Sequence, residues 1–299
     1  MSKIHAPHKI VLVHAHPDDE TLATGVTIAE HVLRGDDVTV LTATLGDEGE
    51  VIPPELAHLG PDAQDRLGGY RRGELWAALF RLGARGVLLA DEEIPEPGEG
   101  PGFFRDSGMA GTPANDRDGA LAYVPMEDVV TRLVAALTAL DPDIVITYDA
   151  TGGYGHPDHI RVHEATVAAT ARLERVPALY TVVTPRSWIE RDRRWVIENV
   201  RDPRWSLPSL EDEYLPSAVD DAAVTHVVQG SALAWSRRDD ALREHRTQVR
   251  VHDGWFTLSN DIATRLSQAE AFIRIHPGTG EPYPPPAEGA EPGLLEAPE

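Results

Sequence analysis

The sequence predicts an α/β protein: a mainly parallel sheet with helices on both faces, plus a smaller C-terminal α/β portion. Three observations carry this. Short apolar runs alternate with helical apolar spacing through the first half of the chain. Glycines and polar residues punctuate the joins. The 299 residues are 41% hydrophobic, enough to cover both faces of such a sheet.

Lys9–His14 reads as a buried strand, because Ile10, Val11, Leu12 and Val13 are apolar without alternation. Leu22, Val26, Ala29 and Leu33 then recur at helical spacing over Thr21–Arg34, and Gly35 suits the helix end. Asp37–Thr44 is the second strand. A polar loop covers about 45–63. Gln64–Leu82 reads as a helix and Gly86–Ala90 as a short strand. Residues 91–125 hold many Gly, Pro and Asp without periodicity, and so long a loop is expected to wall or cover a site. Val129, Leu133, Leu137 and Leu140 mark a helix, Ile144–Tyr148 a strand, 158–174 a helix and Leu179–Thr184 a strand. This βαβαβ rhythm predicts a parallel, Rossmann-like sheet over residues 1–184. Residues 185–276 are assigned to a smaller portion packed on it, with helices at Arg186–Asn199 and Ser231–Arg250 and a strand at Ala222–Val228. The last 23 residues hold seven prolines, five acids and no base, and are expected to stay disordered.

Composition narrows the function. The formal net charge of −22 repels phosphate backbones and anionic headgroups, so neither nucleic acid nor membrane is expected as a partner. Cysteine is absent, which removes disulfides, thiolate metal sites and cysteine nucleophiles and suits a cytoplasmic location. No run approaches the ~20 apolar residues of a membrane span. A small-molecule substrate is the expected partner, and self-association into a homo-oligomer is compatible with the sequence.

Two clusters carry chemistry. The first strand empties into His14-Ala15-His16-Pro17-Asp18-Asp19-Glu20. Ile144-Val145-Ile146 leads to Asp149 and then Gly152-Gly153-Tyr154-Gly155-His156-Pro157-Asp158-His159. Ligands of open α/β sheets bind at the carboxyl ends of strands, so both clusters point to one site. Imidazole nitrogen and carboxylate oxygen suit Zn²⁺ or Fe²⁺. His16 and Asp19, three apart at a strand–helix turn, reach one ion together. Asp18 then faces elsewhere in the pocket as a base, and Glu20 sits where the helix dipole favours its charge. His159 or His163, one helical turn apart, completes the set; spacing alone leaves both open. The plainer alternative for Asp18–Glu20 is helix capping. His14 is expected as a satisfied strand histidine. The glycines at 152, 153 and 155 match neither a dinucleotide nor a P-loop pattern.

His-Pro-Asp-Asp-Glu after the first strand, with the distal His-Pro-Asp-His, resembles the PIG-L/LmbE-like zinc N-deacetylases. Gly46–Ile52, Gly68–Leu75, Arg105–Gly111, Tyr148-Asp149 and Gly152–His159 are similar to the branch of that family acting on N-acetylglucosaminyl-inositol in mycothiol biosynthesis. The likeness spans about residues 9–165. It implies that His16, Asp19 and His159 bind Zn²⁺, with Fe²⁺ a second candidate. It implies Asp18 as general base. Tyr154 and a protonated His156 would stabilise the tetrahedral intermediate and protonate the leaving amine. Arg71, Asp106, Glu50 and Met109 would line the sugar–inositol pocket, although Arg72 departs from the apolar residue expected there. The implied activity is removal of an N-acetyl group. The rivals are the sister amidase of mycothiol conjugates, which would carry a lysine near Ala23, and a deacetylase of another glycoside.

Overall fold

The computed structural model describes residues 7–89 and 104–294. Apolar runs become strands buried on both faces: β1 (Lys9–His14), β2 (Asp37–Thr42) and β4 (Ile144–Tyr148) are buried throughout but for Lys9 and Asp37. With β3 (Arg85–Leu88) and β5 (Ala178–Pro185) they form a parallel array in the order β3-β2-β1-β4-β5. Period-two alternation sends Ile10 and Leu12 to one core, with Ile28, Leu75, Leu79 and Ala234, and Val11 and Val13 to the other, with Leu133, Leu137 and Val162. Each large apolar side chain so buried contributes about 1.5–3 kcal/mol.

The first core lies under α1 (Asp19–Arg34), α2 (Leu67–Leu82) and α7 (Ala232–Leu242), which pack on one another. The second lies under α3 (Met126–Leu140) and α5 (Pro157–Thr170). Gly35 closes α1 with φ 93, its N–H on Val32 O, a conformation glycine adopts without penalty. The elements expected at 9–14, 144–148 and 186–199 (α6, Arg186–Asn199) have the predicted bounds.

Three expectations differ from the structure. The C-terminal portion adds strands to the same sheet: β7 (His226–Gln229) and β11 (Ala269–Ile275) extend it beyond β5, with β11 antiparallel to both neighbours. The two-residue β6 (Ala218–Val219) pairs with β5, and β8 (Arg250–Val251), β9 (Trp255–Thr257) and β10 (Thr264–Arg265) form a small separate sheet. The helix expected over 231–250 ends at Leu242, because His245 and Thr247 turn inward to buried carboxylates on α1 and α2. The described part of the tail pairs instead of hanging free: Glu291 N and Gly293 N donate to Thr225 O and Val227 O, making β12 (Glu291–Pro292) an edge strand where proline's missing N–H does no harm. The end of that tail, residues 295–299, lies outside the described residues. Of the long loop expected over 91–125, residues 91–103 also lie outside them. Residues 104–125 hold short 3-10 turns at Pro113–Asp116 and Leu121–Tyr123.

β1 and β4 are hydrogen-bonded neighbours although they lie far apart in the chain, Ile10 being the register mate of Ile144. Strand order reverses between them: the chain proceeds outward through β2 and β3, then returns to β4 on the other side of β1. That is the switch point where open α/β sheets bind ligands.

Candidate metal centre and active site

The turn after β1 and the turn after β4 open side by side. The second begins with the one-turn α4 (Gly152–Gly155), where Gly152 has φ 66 and a Cβ would lie 2.8 Å from Ile160 N. His156 then caps α5, its Nδ1 accepting the Asp158 N–H at 3.2 Å. This sets His159 on the first turn of α5, facing β1.

Three donor atoms converge. His16 Nδ1 and His159 Nε2 are 3.2 Å apart, and Asp19 Oδ2 lies 3.4 Å from the first and 3.3 Å from the second. Two ligands about 2.1 Å from one tetrahedral ion stand about 3.4 Å apart, so this triangle fits a divalent cation. The outer nitrogens fix the tautomers: His16 Nε2 faces Asp158 Oδ2 at 3.1 Å, and His159 Nδ1 faces Gly152 O at 3.2 Å. Each ring therefore donates outward and turns a lone pair inward, the usual support of a metal-bound histidine. The sets His16–His156–His159 and His16–Asp106–Asp158 also bring ligand atoms within 4.8 Å of one another. The latter uses the outer nitrogen of His16, and the Asp158 carboxylate already accepts from Ser107 N. His156 Nδ1 is occupied by Asp158 N. The His16–Asp19–His159 triangle is the tighter fit.

His163, the other histidine that spacing allowed, donates through Nδ1 to Tyr148 O at 2.8 Å and stays out of the triangle. His14 is buried on Thr24 Oγ1 at 2.9 Å, and burial lowers its pKa to about 4. Both lie outside the triangle; His14 is bonded through Nε2 alone, its buried Nδ1 having no hydrogen-bond partner.

Asp18 stands beside the triangle with φ 109. Arg71 Nη2 lies 3.2 Å from its Oδ2. Burial pushes the pKa of the Asp18 carboxyl up to about 6, against the lowering pull of Arg71. Arg71 is 3% exposed and also donates to Pro17 O and to Gly46 O, the latter at 2.7 Å, while Arg72 is exposed. A Cβ at Gly46 would lie 2.1 Å from Arg71 Nη1, so only glycine admits the guanidinium.

His156 is expected as an imidazolium, and its surroundings oppose that charge. Burial, then repulsion from His16 and His159, lowers its pKa to about 4. With Nδ1 accepting, the neutral ring presents Nε2–H, 3.9 Å from Asp106 Oδ1. Tyr154 is half exposed, its ring 5.1 Å from His159 and 5.9 Å from His156, centroid to centroid. Burial, then the Asp19 charge, raises its pKa, which keeps it a donor.

The expected pocket residues divide. Asp106 is buried 3.4 Å from His16 Nε2, and its Oδ2 accepts from Glu48 N. Burial opposes its charge, yet the neighbouring His16 holds it far into the ionised form. Glu50 and Met109 are exposed on the flanking loops. Sequence reasoning gave no role to Tyr148, Asp158, Glu74 or His245. Asp158 carried a signal as the residue between His156 and His159, Tyr148 and Glu74 lay inside the family-like motifs, and His245 carried none.

The family model described as GlcNAc-PI de-N-acetylase (PIG-L) matches residues 11–170. The 1D-myo-inositol 2-acetamido-2-deoxy-alpha-D-glucopyranoside deacetylase of Actinosynnema mirum is 44% identical over 295 residues, covering 97% of each chain. Its namesake from Streptomyces avermitilis is 40% identical, covering 92% of this chain and 94% of the relative. Among solved structures, the zinc-inhibited form of teicoplanin deacetylase Orf2 superposes with a TM-score of 0.53 at 17% identity, covering 89% of this chain and 98% of the other; that likeness is one of fold.

Proposed function

This chain belongs to the PIG-L family of GlcNAc-PI de-N-acetylases, and from that premise we propose that it hydrolyses the N-acetyl group of 1D-myo-inositol 2-acetamido-2-deoxy-α-D-glucopyranoside to the free glucosaminyl-inositol and acetate. The activity is that of its relatives at 40–44% identity along almost the whole chain. The observation that carries the chemistry is the donor triangle of His16, Asp19 and His159 with the Asp18 carboxylate beside it. Zn²⁺ is the cation assigned to the triangle, with Fe²⁺ equally compatible with two imidazoles and a carboxylate. A divalent cation held there makes a nearby water acidic near neutrality and polarises an amide carbonyl.

The chain's own groups supply the rest. Asp18, buried and paired with Arg71, is oriented to take a proton from the attacking water. The water oxygen bonds to the acetyl carbon. Tyr154 O–H and the neutral His156 Nε2–H donate to the oxygen on which charge collects; one such donor is typically worth about 2.7–4 kcal/mol. The C–N bond breaks as the amine nitrogen receives the proton that Asp18 carried. With His156 neutral, the aspartate serves both transfers. In this reading Arg71 supports Asp18 through their ion pair, and the exposed Glu50 and Met109 serve the distal ring of the substrate. Among the described residues no helix is long and apolar enough to cross a membrane. The proposal includes a cytoplasmic location, which the cysteine-free composition suits.

Acetate release from N-acetylglucosaminyl-inositol, from other N-acetyl glycosides and from a mycothiol S-conjugate tests the reading. Release confined to the first, abolished by chelator and restored by Zn²⁺ or anaerobic Fe²⁺, is expected. Preferred cleavage of the conjugate would replace the deacetylase with the amidase.

A further inference from the structure

Behind the metal-ligand triangle lies a second buried cluster that the proposed chemistry does not use. Asp18 has φ 109 and ψ −32, a conformation that side-chain-bearing residues rarely adopt. Such a backbone is strained and persists only where the surroundings hold it. Asp18 O accepts the Thr21 and Leu22 N–H groups, and its own N–H is held by Glu20, whose Oε2 accepts it at 2.9 Å. Its other oxygen accepts from the Thr21 hydroxyl at 2.5 Å and from His245 Nε2 at 2.8 Å. Glu20 and His245 are both 0% exposed. His245 comes from 225 residues further along the chain, in the turn that follows α7. That turn is itself fastened: Thr247 donates through N and Oγ1 to the Glu74 carboxylate, at 2.9 and 2.6 Å. His245 Nδ1 has no hydrogen-bond partner, so Nε2 is the end of the ring that does the holding.

We propose that His245 is a positioning residue: through Glu20 it holds the Asp18 backbone in the turn that aims the base at the reacting water. The proposal takes the identity of the reaction from the function proposed above, but the conformation of Asp18 can be tested without it. It gives the C-terminal portion of the chain a direct part in the site. A residue that merely filled space would affect stability. Loss of this contact instead leaves that Glu20 oxygen on the Thr21 hydroxyl alone and loosens, through it, the base. Misplacing a catalytic group by about 1 Å can cost ~10²-fold in rate.

Two polar replacements separate these outcomes. His245→Gln can place an amide N–H where Nε2 stands; His245→Asn is too short. His245→Leu fills similar volume with no donor and serves if the asparagine chain folds poorly. The asparagine and leucine chains should lose about tenfold or more in kcat, with KM and bound metal per chain unchanged, while the glutamine chain stays within about threefold of wild type. Adding His245→Asn to Glu20→Ala should lower kcat no further, since the two act in series. Crystal structures of the variants should show Asp18 φ relaxed to negative values in the asparagine or leucine chain and retained in the glutamine chain. Equal kcat for asparagine and glutamine, or an unmoved Asp18, overturns the proposal. A wild-type chain that releases no acetate overturns the functional reading alone, and the Asp18 conformation in the variants still decides this one.

Discussion

The Tyr148 hydroxyl donates to Asp19 Oδ2 at 2.6 Å while accepting the Ala15 N–H at 2.8 Å. The same ring lies stacked on His159, centroids 4.1 Å apart. One side chain at the end of β4 thus fixes both a carboxylate and an imidazole of the donor triangle, and ties them to the backbone leaving β1.

Tyr148→Phe keeps the stacked ring and removes the hydroxyl. Asp19 Oδ2 then keeps the His16 N–H at 3.0 Å but loses its shorter donor, and Ala15 N loses its acceptor. Zinc affinity should fall about 10- to 100-fold, the usual effect of losing an outer partner of a metal ligand. The fold should lose only about 1–2 kcal/mol. Competition titration against a chromophoric chelator reads the first and thermal melting the second. Unchanged affinity would mean that the triangle is held by His16 and His159 without help from Tyr148.

Asp18→Asn leaves the triangle whole and removes the group that accepts the proton. Turnover should drop by about 10²–10⁴-fold, the range of a lost general base, with metal content near that of wild type. Wild-type turnover in this variant, once loaded with metal, would assign the proton transfers to another group.

His159 and His163 are separated by one helical turn, yet only the first faces His16. His159→Ala should abolish stoichiometric metal binding. His163→Ala should retain it and lose stability instead, because its partner is the Tyr148 carbonyl. Metal analysis of the two purified chains distinguishes them, and the reverse pattern would move the ligand assignment to His163.

Most of the fold and the heart of the site could be read from residues near one another in sequence. The runs at 10–13 and 144–146 declare strands, the motifs at their ends declare chemistry, and the βαβ rhythm explains why β1 and β4 can be neighbours. Which histidine faces inward was not legible, because residues 159 and 163 share a helix face until a neighbouring strand fixes the helix rotation. Tyr148, Asp158 and His245 act across 129, 142 and 225 residues, distances over which a single sequence carries no pairing signal. The strand β11 escaped because Ala269–Ile275 is interrupted by Glu270 and Arg274, and a charge in a strand argues against burial until its partners are known. The unusual backbone at Asp18 left no trace in composition at all.

Glu270 makes that last strand's cost measurable. It is buried on β11, its two carboxylate oxygens accepting the Val26 and Thr27 amides of α1 at 2.8 Å each. Burial pushes its pKa from 4.5 up to about 7, against the lowering effect of those amides and of Arg238. The folded value exceeds the unfolded one, so the folded protein favours the protonated acid. The associated stability is complete below about pH 4.5 and is lost as pH rises through 7. At ~1.36 kcal/mol per pH unit, the interval from 4.5 to about 7 corresponds to roughly 3 kcal/mol. Glu270→Gln cannot titrate. Urea unfolding of both chains in chelator, from about pH 8 down to about pH 5, should therefore show the wild type gaining on the variant as protons are added. Parallel profiles would mean that the amide pair and Arg238 keep Glu270 ionised throughout, and that the helix contact is an anion clamp rather than a protonated one.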